Sequence, residues 1–558
     1  MKTFQHILKY HYDQNPDQVA IYLQHAGQED KPITYRQLLT HASSVQHKLE
    51  SEGIQPGEVV LLILQHGEEL IYTYFGTTLH GVIPSIMPYL TEKLQPERYR
   101  EDLASLIQVS QPAAIFTYDE FKPEVQEALS SGTSVRSLLL ASEVISASEP
   151  TFDLNRRQPQ DTFLLQHSSG TTGLQKGVAL SHQAVLNQIT SYADVLHVAH
   201  DDVVVSWLPL YHDMGLIAGF LMPIFLGVPL VLMSPFDWVR SPSMLMHAVS
   251  KYKGTISWLP NFAYNFCSQK IPPRYLKSID LSSWRAVINC SEPMRHKSHQ
   301  QFLKAFKPYG FREHALATCY GMAENTFAVT QGGIDQPIKI ETVDRNSLQV
   351  DCLAKPAQKE KPFINIVSAG TPIPNTKVKI IDSRGRNLPE RHVGEIAIKS
   401  NCMLSEYYNR PDETHEAFQN DWFLTGDYGY LHSGELYITG RKKDIIIIAG
   451  KNIYPQDLED LTFEVDEVHP GRSVAFGIFS EKKGTEEVVI VAETDRNKHL
   501  EKLRIAKEIR SVVTRGSAIA LRHVHLVNKG WIIKTSSGKT ARAANREKFL
   551  RETDFQFD

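Results

Sequence analysis

Cysteine is scarce: Cys267, Cys290, Cys319, Cys352 and Cys402 are the only five in 558 residues, and no two form a C-x-x-C pair. That spacing offers neither a disulfide framework nor a structural zinc pattern, and it suits a reducing compartment. Neither sign of charge is in excess. With 59 Lys+Arg against 63 Asp+Glu the net charge is −4, so nothing at whole-chain level points to nucleic-acid binding by bulk electrostatics, and any phosphate site must be local. Residues 1–11 hold no continuous apolar stretch of the secretory kind, and a cytoplasmic location is expected. The chain has one long uncharged run, Met214 to Phe236, whose length alone would permit a membrane span. Pro223, Pro229, Gly219 and Gly227 divide it, and His212 and Asp213 precede it, so a buried helix, loop and strand is expected in place of a span. Two phosphate signatures are also missing. No G-x-G-x-x-G opens a helix, and the nearest approach to a P-loop, Gly538-Lys539-Thr540, has Ile533 where the first glycine must stand.

What is present is ordinary for a folded enzyme: 42% hydrophobic and 22% charged residues. At roughly 150 residues per domain the length suggests three or four units. Thr34 reads as a helix N-cap, with Leu38, Ala42, Val45 and Leu49 on one face and Gly53 as the stop. Strand-like runs at Glu58 to Leu64, Val82 to Met87 and Ala113 to Tyr118 alternate with helical segments. The alternation resumes from about 160 to 330, with strands expected at 203–208, 230–233, 255–259 and 286–289. Between about 334 and 365 the pattern lapses into a polar, proline-punctuated stretch that reads as an insertion or surface loop, and a small β-rich region follows. After Arg441 the composition fits a separate α+β domain. The expected fold is therefore α/β: a large N-terminal domain of mixed α/β layers plus a small β-rich region (1–440), then a C-terminal α+β domain (441–558).

The densest chemical feature is Ser168-Ser-Gly-Thr-Thr-Gly-Leu-Gln-Lys-Gly177, with two serines, two threonines, three glycines and one lysine in ten residues. Unhindered backbone N–H groups, hydroxyls and one cation suit an oligophosphate; a flexible polar turn is the alternative. This loop, Tyr320-Gly-Met-Ala-Glu324, Leu424-Thr-Gly-Asp427, Gly440-Arg-Lys-Lys-Asp444 and Lys534-Thr-Ser-Ser-Gly-Lys539 occur in the order and spacing of the adenylate-forming superfamily, which the chain resembles over essentially its whole length. Ser206-Trp-Leu-Pro-Leu-Tyr-His-Asp-Met-Gly-Leu-Ile217, Pro260-Asn-Phe-Ala-Tyr264, Leu281-Ser-Ser-Trp-Arg285, Ser291-Glu-Pro293 and Val367-Ser-Ala-Gly-Thr-Pro-Ile-Pro374 look most like fatty acyl-AMP ligases, whose distinguishing insertion lies where residues 334–365 stand.

The resemblance implies a reaction in which a fatty acid attacks the α-phosphate of ATP, and the resulting acyl-adenylate is passed to the phosphopantetheine thiol of an acyl carrier protein. Free coenzyme A is the alternative acceptor. It implies that Ser168, Ser169, Gly170, Thr171, Thr172, Gly173 and Lys176 hold the β- and γ-phosphates, that Glu324 binds Mg2+, and that Lys539, with Glu324 and Thr172, serves the reacting centre. Tyr320 would stack on adenine, with Ser291, Glu292 and Pro293 along the base, and Gly321, Met322 and Ala323 beside the nucleotide. Ala323 stands where relatives commonly carry a threonine hydroxyl, and Ile533 where they carry proline. Asp427 and Arg441 would hold the ribose, and Lys443 would be the hinge of a mobile C-terminal domain. His212, Asp213, Met214, Gly215, Phe236, Trp238, Trp258 and Phe262 would line the substrate site, each being open to the simpler reading of core packing. Less favoured alternatives are an amino-acid-activating domain, which lacks its amine-binding aspartate near Trp207 to Tyr211, and a non-catalytic nucleotide-binding regulator.

Overall fold

The computed structural model describes residues 2–89, 96–129, 133–167, 176–358, 361–448, 450–481, 483–517, 519–535, 538–553 and 555. The expected N-cap forms as a full capping box: Thr34 Oγ1 accepts from Gln37 N, and the Gln37 side chain accepts from Thr34 N, starting the helix Tyr35–Ser51. Val59–Leu62, Ile83–Ile86, Ala114–Thr117 and Ser137–Leu140 pair in parallel as one four-stranded sheet in the order 83, 59, 114, 137. Each strand is buried along nearly its full length, as the continuous apolar runs require.

A nine-stranded mixed sheet forms the second layer. Its centre is parallel and runs Leu316–Gly321, Ala286–Asn289, Ile256–Leu259, Val204–Ser206, Leu230–Met233. Val19–Gln24 joins it beside Leu230–Met233, so the first strand of the chain belongs to the later sheet. The uncharged run divides at its prolines into a helix with i→i−5 bonding, Met214–Leu221, a short helix Met222–Leu226, and the strand Leu230–Met233. Among the described residues no helix is long and apolar enough to cross a membrane.

Thr376–Ile381, Gly394–Ser400, Trp422–His432 and Glu435–Arg441 form the expected β-rich region. The stretch read as an aperiodic insertion is more ordered than its composition suggests. Ile340–Asp344 and Phe363–Val367 pair antiparallel over five residues, with a short helix Arg345–Val350 between them. The polar residues face solvent on a two-stranded ribbon, which needs only one apolar face, and Val343, Leu348 and Ile366 supply it. Beyond Arg441, Ser473–Ser480, Thr485–Glu493 and His523–Val527 make a separate sheet flanked by the helices His499–Ser517 and Arg542–Glu552, with apolar clusters of its own.

Several histidines sit inside these cores. Burial pulls the His80, His167 and His299 imidazoles down to about 4, and that of His182 to about 3. Because the folded values lie below the free value, their stabilising share is complete above pH 6.5 and is lost as pH falls toward 4. Lowering the pH from 7.5 to 5.0 is therefore expected to cost about 1–2 kcal/mol per buried histidine. Thermal unfolding across that range checks this: a Tm that falls with pH is expected, and a flat profile would contradict it.

Candidate active site

The two α/β layers, the β-rich region and the C-terminal unit meet around one cleft of about 2670 Å3. Its floor comes from the carboxyl ends of the parallel strands, where an open α/β sheet places its ligands. Tyr320 is the penultimate residue of the strand Leu316–Gly321, and its hydroxyl donates to Asp427 Oδ2 at 2.7 Å. Asp427 lies opposite Arg441 in the antiparallel pair Trp422–His432 and Glu435–Arg441, and Arg441 Nε donates to Asp427 Oδ1 at 3.3 Å. Register on one ribbon thus delivers an acceptor and a donor side by side, and the tyrosine ring is fixed through its hydroxyl.

Ser291 follows the strand Ala286–Asn289 and takes a left-handed backbone, φ +71°. A serine there costs about 1–3 kcal/mol, a strain typical of functional turns. Glu292 accepts from Phe262 N at 2.9 Å. Burial raises its carboxyl above the ordinary range, opposed by that hydrogen bond and by the charges of Lys539 and Lys534. Both lysines belong to the C-terminal unit, so its loop has entered the cleft. Lys539 also acts on His212, whose imidazole burial and the lysine charge bring down to about 3, and on Asp213, whose carboxyl burial raises against the lysine's pull.

The loop carrying Lys539 is braced at both ends. Gly538 N donates to Thr535 O and Thr535 N to Lys539 O, both at 2.8 Å, with Gly538 at φ +82°. Asn545, fully buried, accepts from Ile533 N and donates to Ile533 O, each at 2.8 Å. The departure from proline at 533 thus has a local use, because proline could not supply that N–H.

Lys176 and Glu324 stand off the cleft wall and meet through Tyr407. The Tyr407 hydroxyl donates to Glu324 Oε1 at 2.9 Å, while Lys176 Nζ lies 4.6 Å from the Tyr407 ring centroid and 2.6 Å from Glu413 Oε2. Burial raises the Glu324 carboxyl, opposed by hydrogen bonds, with Asp213 adding to the rise. A half-buried carboxylate that feels the charge of a second one suits a hard divalent cation that takes one or two carboxylates and fills its remaining positions with phosphate oxygens and water. Among the described residues no group of three or more His, Cys, Asp or Glu could hold a metal by itself. Ser168, Ser169, Gly170, Thr171, Thr172 and Gly173 lie outside the described residues; the strands that flank them, Thr162–His167 and Gly177–Ser181, pair with His167 opposite Gly177.

Of the residues assigned to the substrate wall, His212, Asp213, Met214, Gly215, Phe236 and Phe262 border the cleft. Gly215 is packed so closely that a Cβ there would come within 2.2 Å of Pro209 O. Two assignments are corrected. Trp258 is 1% exposed and donates from Nε1 to Tyr192 Oη at 2.9 Å, which makes it core. Trp238 is fully buried behind the wall, stacked on Trp207 at 3.6 Å between centroids and 7° between planes. Trp207 is the residue of that pair that borders the cleft, together with Met87, Tyr89, Leu103, Leu106 and Phe266. The first four of these five come from the parallel layer, and no motif marked them. Tyr407 was likewise invisible, because nothing in its spacing links it to Glu324. Lys443 is exposed in the turn that leaves the β-rich region.

Residues 8–408 match the AMP-binding enzyme family. The chain belongs to that family. It is 32% identical over 98% of its length to a medium-chain-fatty-acid–[acyl-carrier-protein] ligase of Moorena producens, covering 95% of that protein. It is 30% identical to a long-chain-fatty-acid–AMP ligase of Mycolicibacterium smegmatis, covering 93% of this chain and 89% of the relative. Among solved structures, one from work on fatty acyl-adenylate ligases of E. coli and L. pneumophila superposes with a TM-score of 0.90 at 27% identity, covering 99% of this chain and 98% of that one. Another, an L. pneumophila fatty acyl-adenylate ligase in complex with acyl adenylate and pyrophosphate, gives 0.74 at 29% identity over 98% and 96%. The chain is thus an adenylate-forming ligase with an N-terminal large domain and a C-terminal domain.

Proposed function

We propose that the protein joins ATP to a fatty acid, releasing pyrophosphate and forming acyl-AMP, and then passes the acyl group to the phosphopantetheine thiol of an acyl carrier protein. The observation that carries this reading is the convergence of Lys539, from the C-terminal unit, with the Tyr320–Asp427–Arg441 set on one cleft whose wall continues into aromatic and aliphatic residues. The names of the relatives support the fatty acid and the carrier.

In this reading Tyr320 and the Ser291–Pro293 turn hold adenine, Asp427 accepts from a ribose hydroxyl, and Arg441 donates to one. Ser168 to Gly173 and Lys176 take the β- and γ-phosphates, with Gly321, Met322 and Ala323 alongside the α-phosphate. Glu324 would hold Mg2+, which when bound offsets phosphate charge. A carboxylate oxygen of the fatty acid forms the new bond to the α-phosphorus while the bond to the bridging oxygen of pyrophosphate breaks. No protein nucleophile takes part, so the work is alignment and charge stabilisation. Lys539 neutralises charge at the attacking carboxylate and the attacked phosphate, and His212, neutral at physiological pH, borders the same space. In the second step the thiol sulfur attacks the acyl carbonyl, AMP leaves with the bonding electron pair, and the thiol proton passes to solvent. Movement of the C-terminal unit about Lys443 would exchange Lys539 for the incoming thiol.

The test offers ATP and a panel of fatty acids with either holo carrier protein or coenzyme A. Acyl-carrier formation at least tenfold faster than acyl-CoA formation is expected. Rapid acyl-CoA formation would overturn the acceptor while leaving activation standing, and absence of fatty-acid-dependent pyrophosphate release would overturn activation itself.

A further inference from the structure

The helix Pro455–Thr462 carries three carboxylates in four residues, and arginines from two other elements hold it from opposite sides. On one side Arg295, two residues beyond the Ser291–Pro293 turn, reaches Asp457 Oδ1 from Nη1 at 3.0 Å and Asp460 Oδ2 from Nε at 2.6 Å. Asp457 and Asp460 are three apart and so share a helix face. Arg295 is itself fixed, its backbone N donating to Asn261 Oδ1 at 3.1 Å. On the other side Glu459 accepts from Arg542 at 3.0 and 2.6 Å and from Ala475 N at 3.0 Å. Arg542 also donates to Asp444 Oδ2 at 2.9 Å, and it stands three residues after Lys539. One short helix therefore connects the turn on the adenine side of the cleft with the loop that delivers the ammonium group.

We infer that Arg295 is a positioning residue for adenylate formation: through Asp457 and Asp460 it seats this helix, and the helix, through Glu459 and Arg542, sets the place of Lys539. The inference rests on the two-step reading above. Without Arg295 the helix would present two uncompensated carboxylates to the nucleotide-binding side, and the C-terminal unit would lose its hold there. A misplacement of about 1 Å at a reacting centre costs on the order of a hundredfold in rate. Acyl transfer, which does not use Lys539 in this arrangement, would not depend on the contact.

The experiment separates the half-reactions. Arg295→Ala is compared with wild type for pyrophosphate release in a single turnover, and for acyl transfer from purified acyl-AMP to whichever thiol, holo carrier or coenzyme A, the wild type accepts. Pyrophosphate release is expected to fall at least about tenfold, with KM for ATP changed less than about threefold and transfer unchanged or faster. Arg295→Lys should recover much of the loss, and Asp457→Asn combined with Asp460→Asn should reproduce it from the other side of the contact. Equal loss in both half-reactions, an unimpaired first step, or a wild-type-like Asp457→Asn/Asp460→Asn protein would overturn the inference. Pyrophosphate release needs no acceptor, so a wild-type enzyme that releases it without loading a carrier would sink the acceptor reading alone.

Discussion

Replacing Lys539 with alanine should slow adenylate formation by about 10²- to 10³-fold, the usual cost of removing one preorganised charge or donor at a reacting centre. The ammonium group, carried by the C-terminal unit, reaches far enough into the cleft to perturb the titration of His212 and Asp213. Its loop is secured by Asn545 and by the backbone bonds of Thr535 to Gly538 and Lys539, none of which depends on the lysine side chain, so the fold should survive. The residues proposed to hold ribose and adenine lie on other elements, and the dissociation constant for ATP should stay within about threefold. Single-turnover pyrophosphate release and ATP titration together check this. A slow mutant that binds ATP normally is expected, and normal turnover would remove Lys539 from the chemistry. Acyl transfer from preformed acyl-AMP should be spared.

Asp427→Ala is expected to act in the opposite way, on ATP binding. Asp427 accepts from both Tyr320 Oη and Arg441 Nε, and Arg441 is held above its ordinary range chiefly by the Asp427 charge. In the proposed reading its loss removes a charge-assisted contact to the ribose and frees the ring assigned to adenine, roughly 1.5–3 kcal/mol in all. That corresponds to a rise of about 10- to 150-fold in KM for ATP. KM for the fatty acid should change little, because the wall proposed for the acyl chain, Phe236, Phe262, Trp207 and the parallel layer, borders the cleft on other elements. A variant with unaltered KM for ATP would show that the Tyr320–Asp427–Arg441 set is structural only.

How far the sequence foretold this arrangement depends on the range over which each signal acts. Local patterns were legible. Thr34 announced its helix because a capping box is written in four adjacent residues, and 230–233 and 286–289 were read as strands with the bounds they have. Recurrent motifs located Tyr320, Asp427, Arg441 and Lys539, which the fold assembles from four separate elements. What depends on packing between distant elements was not legible. Val19–Gln24 gives no hint that it pairs with Leu230–Met233. Trp258 and Phe262 both look like candidate pocket residues in one short stretch, yet the first, on the strand Ile256–Leu259, bonds Tyr192 in the core, while the second, in the first turn of the helix Asn261–Lys270, borders the cleft. The insertion appeared aperiodic because its short helix interrupts a two-stranded ribbon that has only one apolar face. Within it, Arg345 donates to Gly516 O of the C-terminal unit, and near its middle Cys352 Sγ accepts from Asn452 at 3.2 Å, contacts that no periodicity could reveal. Ile533 looked like a defect in a motif until its N–H found Asn545.

The most direct measurement is a crystal structure of the complex with a non-hydrolysable ATP analogue and a fatty acid. Lys539 Nζ should lie within about 4 Å of an α-phosphate oxygen or of the attacking carboxylate, with the Asp427 carboxylate on the ribose hydroxyls. A complex in which the ribose sits on Asp427 but Lys539 points to solvent, and in which no rotation of the C-terminal unit brings it to the α-phosphorus, would contradict the convergence on which the proposed chemistry stands.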